Sequence, residues 1–189
     1  MTWTLPADWH DTEAAAAAWR AAEPFPHLVA DAVADADAIL AILDDEHVDP
    51  YADDIFMFEA TAPEPQTAAF RALRDAFAGT FAPALAQITG APVTRVDMRA
   101  YAYRPGHYLL PHTDHRDGLD RRLAYAYYLP SPEPPVGGEL ELYRGMVSAR
   151  LIEPRGNRLV VFAVGDASLH QVREVLAGLR LSLAGWFYP

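Results

Sequence analysis

Two rhythms of apolar spacing divide the chain. Up to about residue 90 the apolar positions recur at helical intervals; beyond Pro92 they fall into short runs separated by Gly and Pro. Residues 11–22, "DTEAAAAAWRAA", are strong helix formers behind an aspartate cap and predict a first helix. A second is expected over 31–47, with Asp31 as its cap and Ile39, Leu40, Ile42 and Leu43 as its apolar stripe. A third is expected over 65–89, bent near Pro83 and stopped by Gly90. Between the first two, "PFPHLV" is short, apolar and flanked by proline, which suits an edge strand.

The second half reads as strands at about 93–103, 107–112, 122–129, 139–143, 148–152, 158–164, 168–175 and 179–187. Strands after helices indicate an α+β protein. Short, evenly spaced strands with such turns favour a sandwich or barrel, and closure into a jelly roll hides the sheet edges. The chain is expected to be a single domain, 1–189, with a helical support over 1–91 and the strand-rich core over 92–189. The stretch "PSPEPPVGG" at 130–138 reads as a loop, with Gly137-Gly138 serving its turn.

Composition narrows the possibilities. A hydrophobic content of 51% beside 22% charged residues is that of a folded globular chain, and no apolar run approaches the ~20 residues that span a bilayer. The N-terminus lacks the basic and apolar segments of a cleaved signal, and there is no cysteine, so a cytoplasmic location is expected. All 15 basic residues are arginine. The absence of lysine excludes Schiff-base chemistry and a phosphate-loop lysine. The net charge of −11 is concentrated early: residues 1–70 carry fifteen Asp and Glu against Arg20 alone. A nucleic-acid partner is disfavoured, since phosphates call for a basic stripe.

The chemistry concentrates in "LLPHTDHRD", residues 109–117. His112 and Asp114 stand two apart, so on extended chain both side chains leave one face and can chelate one ion. His170, at the start of another predicted strand, is a third candidate. Two histidines and one carboxylate form the facial triad of non-haem iron(II) oxygenases, which leaves positions open for other ligands. The same triad also suits a cupin-like binding module. Arg180 and Ser182 share one face of the last strand, while Leu179, Leu181 and Leu183 share the other. An arginine turned into a small barrel calls for an anion, because an unpaired buried charge is costly. The distal carboxylate of 2-oxoglutarate is one such anion, well matched to a planar guanidinium with a hydroxyl beside it.

Taken together, "YRPGHYLLPHTD", "RRLAYAYYLP", "GGELELY", "NRLVVFAVGDASLHQVREV" and "GLRLSLAGWFY" resemble the Fe(II)/2-oxoglutarate-dependent dioxygenases of the prolyl 4-hydroxylase-like branch, over about 93–188. The resemblance implies a double-stranded β-helix core with a cupin-like jelly-roll plan, buttressed by the N-terminal helices. It implies His112, Asp114 and His170 as iron ligands, Arg180 as the 2-oxoglutarate anchor with Ser182 beside it, and Tyr103 facing the cosubstrate. One of Tyr125 and Tyr127 is expected to do likewise, and Tyr127 is taken here as the candidate. The reaction implied consumes 2-oxoglutarate and O2, releases succinate and CO2, and hydroxylates an unactivated C–H. Related halogenases carry a small residue in place of Asp114, so hydroxylation is implied here. His107 and His115 are not expected to be ligands, and Trp186 is expected in the core. Peptidyl proline and a free amino acid or other small molecule both remain open as substrate, and a non-catalytic sensor barrel is the alternative function. The acidic segment 44–59, "DDEHVDPYADDIFMFE", has two readings: a loop attracting a cationic substrate, or a solvated helix end. No membrane partner is expected, and oligomeric state is not readable.

Overall fold

The computed structural model describes residues 3–189. The N-terminal part holds a 3-10 turn at Ala7–Trp9, α1 (Thr12–Ala21), β1 (His27–Asp31), α2 (Ala36–Leu43), β2 (Asp49–Asp53), β3 (Phe56–Ala60) and α3 (Ala68–Thr89). There follow β4 (Arg95–Val96), β5 (Arg99–Tyr103), β6 (Tyr108–His112), β7 (Leu123–Leu129), β8 (Val136–Gly137), β9 (Leu140–Arg144) and β10 (Val147–Ile152). The last strands are β11 (Arg158–Ala163), β12 (His170–Val172), β13 (Val175–Ala177) and β14 (Arg180–Tyr188). No helix among the described residues is long and apolar enough to cross a membrane.

Side-chain caps start the helices. Asp11 accepts from the Ala14 N–H at 3.0 Å and Thr67 from the Phe70 N–H at 3.1 Å. Helix α3 runs through Pro83 to a left-handed Gly90 at φ 73°. The second helix begins later than its aspartates suggest. Asp35 is the cap, accepting from the Ala38 N–H at 3.2 Å. Asp31 instead ends β1, paired to Arg158 in β11, whose guanidinium donates to both carboxylate oxygens at 2.7 and 3.1 Å.

One antiparallel sheet runs in the order β1-β11-β7-β14-β5-β3-β6-β12-β9-β10, with β2 added to β3 and β4 to β14; β8 and β13 form a separate pair. Non-consecutive neighbours and a curl that packs β7 and β11 over β9 and β10 make this the jelly-roll core of a double-stranded β-helix. The N-terminal part is more than a helical support, because β1 and β3 are integral to the sheet. Segment 49–60 forms a hairpin where an acidic loop or helix end was expected. Its alternation explains this: Phe56 and Phe58 point one way, Met57 and Glu59 the other.

The strands have two apolar faces. Leu123, Tyr125, Tyr127, Leu159, Val161, Leu183 and Phe187 pack outward against the helices, where Trp3, Phe77 and Phe81 meet them. The Trp3 ring lies edge-on to both Phe77 and Tyr127 at 4.9 Å. Each such buried ring stabilises the layer by roughly 1.5–3 kcal/mol. The alternate positions, among them Ala124, Ala126, Tyr128, Val160 and Phe162, turn into the barrel. Along β14 the inward set is Arg180, Ser182, Ala184 and Trp186.

Candidate active site

His112 closes β6 and His170 opens β12, and the two are direct cross-strand partners. Each ring is aimed in the same way. The Nδ1 of His112 lies 2.9 Å from the Leu110 carbonyl, and that of His170 lies 2.9 Å from the Ser168 carbonyl. A carbonyl can only accept, so each Nδ1 carries the proton and each Nε2 presents a lone pair. Those Nε2 atoms stand 3.7 and 3.6 Å from the two Asp114 oxygens. All three ligand atoms lie within 4.8 Å of one another. The donor set and its carbonyl-fixed tautomers fit a divalent transition metal with open positions. Burial is the main cause that pushes His170 down to about pKa 4, against the opposing pull of the Asp114 carboxylate. The ring is therefore neutral at pH 7 and able to ligate. His115 is outside the cluster, at the surface near Asp117 and Asp166, and His107 is not part of it.

The triad opens into a cavity of about 670 Å³ whose inner end holds Arg180 and Ser182. Arg180 is 3% exposed. Its Nη1 donates to Ser182 Oγ at 3.2 Å, while its buried Nε has no partner. No carboxylate lies within 4.0 Å of it among the described residues. The rings of Tyr103, its cross-strand partner, and Tyr128 flank the guanidinium at 4.7 and 5.0 Å. Burial raises both phenols above their ordinary range, so both stay protonated donors. Gly138, at φ 71°, makes room for this cluster: a Cβ there would sit 3.0 Å from Arg180 Cδ and 2.9 Å from a Val175 methyl. It serves close approach as well as the turn.

The structure brings His112, Asp114, His170, Arg180, Ser182 and Tyr103 together around this cavity. It does not bring Tyr127. That side chain faces the helical layer and donates to Asn157 Oδ1 at 3.0 Å; Tyr125, on the same face, donates to the Asp97 carbonyl at 2.8 Å. The inward tyrosine of β7 is Tyr128, whose buried hydroxyl lacks a partner. The parity of β7 was the available signal, since Tyr128 alternates with Ala124 and Ala126 rather than with Leu123 and Leu129.

Trp186, expected in the core, lines the cavity instead. The Arg121 guanidinium stacks on its ring at 3.4 Å and donates to the Asp114 carbonyl at 3.2 Å. Arg121 Nε and Trp186 Nε1 are buried donors without acceptors. A second wall comes from the β2–β3 hairpin through Ile55, Phe56 and Phe58. None of that hairpin's acidic residues lines the cavity, so the acidic lining expected of a loop for cationic substrates is not there.

Residues 98–188 match the family model of the 2OG-Fe(II) oxygenase superfamily. The chain carries a 2OG-Fe(II) oxygenase domain. The family's metal and cosubstrate are thus iron(II) and 2-oxoglutarate, with O2, and this domain's triad and its unpaired buried arginine suit them. The mouse prolyl 3-hydroxylase OGFOD1 is 39% identical over 102 residues, 49% of this chain and 18% of that protein. Its Xenopus laevis counterpart is 32% identical over 182 residues, 87% of this chain and 35% of that protein. The chain thus spans about a third or less of the length of these relatives. The crystal structure of a Pseudomonas putida prolyl-4-hydroxylase superposes with a TM-score of 0.72 at 25% identity, covering 92% of this chain and 98% of that one.

Proposed function

We propose that this protein is an iron(II)- and 2-oxoglutarate-dependent hydroxylase that acts on a proline within a peptide. The observation that carries the reading is one cavity with a His–Asp–His chelate at one point and an unpaired, buried guanidinium at its inner end. The named activities of the relatives, prolyl 3- and 4-hydroxylases, support peptidyl proline over a free amino acid. Bound iron(II) with 2-oxoglutarate and O2 supplies the oxidising power for C–H hydroxylation, with release of succinate and CO2.

The chain's own residues do the rest. His112, Asp114 and His170 hold the metal, their tautomers set by the Leu110 and Ser168 carbonyls. Arg180 receives the distal carboxylate of 2-oxoglutarate, with Ser182, Tyr103 and Tyr128 as neighbouring donors. Arg121 and Trp186 line the cavity as a stacked pair, and the Trp186 ring offers an apolar surface to a proline ring. Phe56, Phe58 and Tyr101 give the opposite wall and exclude water from the reacting carbon.

The test is incubation with Fe(II), ascorbate, 2-oxoglutarate and a library of proline-containing peptides, read by mass spectrometry. A gain of one oxygen on proline, matched by succinate, is expected and should vanish in His112→Ala, Asp114→Ala and His170→Ala. Retained iron and 2-oxoglutarate binding with no turnover on any substrate would leave a binding module instead.

A further inference from the structure

The cavity runs against the charge of the molecule around it. The chain carries −11 overall, yet apart from the ligand Asp114 the charged groups lining the cavity are Arg99, Arg116, Arg121, Arg180 and Asp117. Arg180 lies at the inner end. The other three arginines have no carboxylate within 4.0 Å among the described residues. Arg99 donates to the Thr61 carbonyl and lies over the Tyr51 and Tyr101 rings at 5.0 and 5.4 Å. Arg116 is exposed and donates to the Thr113 and His115 carbonyls at 3.4 and 3.2 Å. Arg121 stacks on Trp186. Asp97 feels its charge and offsets it in part from beyond contact distance, the two Asp97 oxygens being held by the Trp186 N–H at 2.6 Å and the Tyr188 hydroxyl at 2.8 Å. Carbonyl and ring contacts orient a guanidinium without neutralising it. The single opposing group, Asp117, has a fully exposed side chain and sits 3.9 Å from His115.

We infer that the substrate is a peptide segment with acidic side chains next to the target proline, received by Arg99, Arg116 and Arg121. This rests on the peptidyl-prolyl reading above. Three cations with no carboxylate in contact, around a concave, low-dielectric opening, focus a positive potential there, which draws an anionic partner and repels a basic one. A nucleic acid is the poorer occupant: the first 70 residues, with fifteen acids against one arginine, offer its flanking phosphates repulsion. None of the acidic hairpin residues lines the opening, so the charges that a bound peptide would touch are chiefly these arginines.

The test uses three synthetic peptides with one central proline in a Gly/Ala background, flanked by Glu-Glu, Gln-Gln or Lys-Lys. The Glu peptide is expected to have a KM about tenfold below that of the Lys peptide at ~20 mM salt, and the ratio should shrink above ~0.15 M. The exposed Arg116→Glu variant should fold and should narrow the Glu preference several-fold, chiefly by improving the Lys peptide. Equal KM for all three peptides, a preference for Lys, or an unchanged ratio in Arg116→Glu would overturn the charge assignment and leave the hydroxylase reading standing. Failure of every peptide while 2-oxoglutarate is still consumed would overturn the peptidyl reading and this inference with it.

Discussion

Replacing Arg180 by methionine should move two quantities in opposite directions. The side chain is almost fully buried, its Nε has no acceptor, and its one side-chain hydrogen bond is to Ser182. In the protein without cosubstrate this is a desolvated cation without a counter-ion, a cost that the Tyr103 and Tyr128 rings offset only in part, by roughly 0.5–2 kcal/mol. An unbranched apolar side chain of similar length removes that cost, so Arg180→Met should stabilise the cosubstrate-free protein by about 1–2 kcal/mol. For a chain of this size that is a rise in Tm of roughly 2–8 °C. Binding should collapse meanwhile. A two-bond fork of charge-assisted hydrogen bonds contributes about 3–6 kcal/mol, so Kd for 2-oxoglutarate should rise ~10²- to 10⁴-fold. Anaerobic thermal melts with Fe(II), with and without 2-oxoglutarate, report both numbers. At about 100 times its Kd the ligand should raise the wild-type Tm by ~5–10 °C and leave Arg180→Met unmoved. A variant that melts below wild type without ligand, or that binds 2-oxoglutarate within threefold of it, would refute the reasoning.

The two adjacent tyrosines of β7 should separate by face. Tyr127→Phe loses the bond to Asn157 and should cost about 1 kcal/mol of stability with the 2-oxoglutarate Kd unchanged, whereas Tyr128→Phe should weaken 2-oxoglutarate binding at unchanged or slightly higher Tm; calorimetry measures both. Gly138→Ala meets a left-handed φ of 71° and two side chains at 2.9 and 3.0 Å, so it should lose about 1 kcal/mol or more and raise the 2-oxoglutarate Kd by displacing Arg180, seen in the same melts. Burial holds His27 below its ordinary pKa, Arg150 adds to this, and the Phe25 carbonyl opposes it. The fold keeps the neutral ring, so its stability is fully present above about pH 6.5 and is lost as the unfolded chain takes up the proton below it. A Tm series from pH 7.5 to 5 should slope down in wild type and less steeply in His27→Phe.

The triad and the Arg180–Ser182 pair were legible because strand periodicity alone says which neighbours share a face, and each cluster lies within three residues or at matching strand ends. The strands after Pro92 were legible for the same reason. Tyr127 was misassigned although parity within β7 groups it with Leu123, Tyr125 and Leu129, the apolar set that the helices cover, and groups Tyr128 with the small Ala124 and Ala126 of the barrel face. The β2–β3 hairpin was hidden by its acids: Asp49, Asp53 and Asp54 read as a solvated end, while the pairing of β3 with β5 and β6 is a long-range event with no local mark. Asp31 misled because a cap and an ion-pair partner look alike until Arg158 is beside it. Arg121 and Trp186 gain their meaning only when stacked on one another.

Strands β7 and β14 present two surfaces with separate duties, and three of the inward positions facing the opening, Ala124, Ala126 and Ala184, are as small as a chiral residue can be. The room available to a substrate is therefore held by methyl groups on strands whose opposite faces already carry the aromatic layer under the helices. Enlarging any one of them narrows the opening and also presses on the inward cluster it packs with, on the face away from that layer. The width of the opening and the packing of the barrel are therefore set together at these three positions, apart from the aromatic layer behind them.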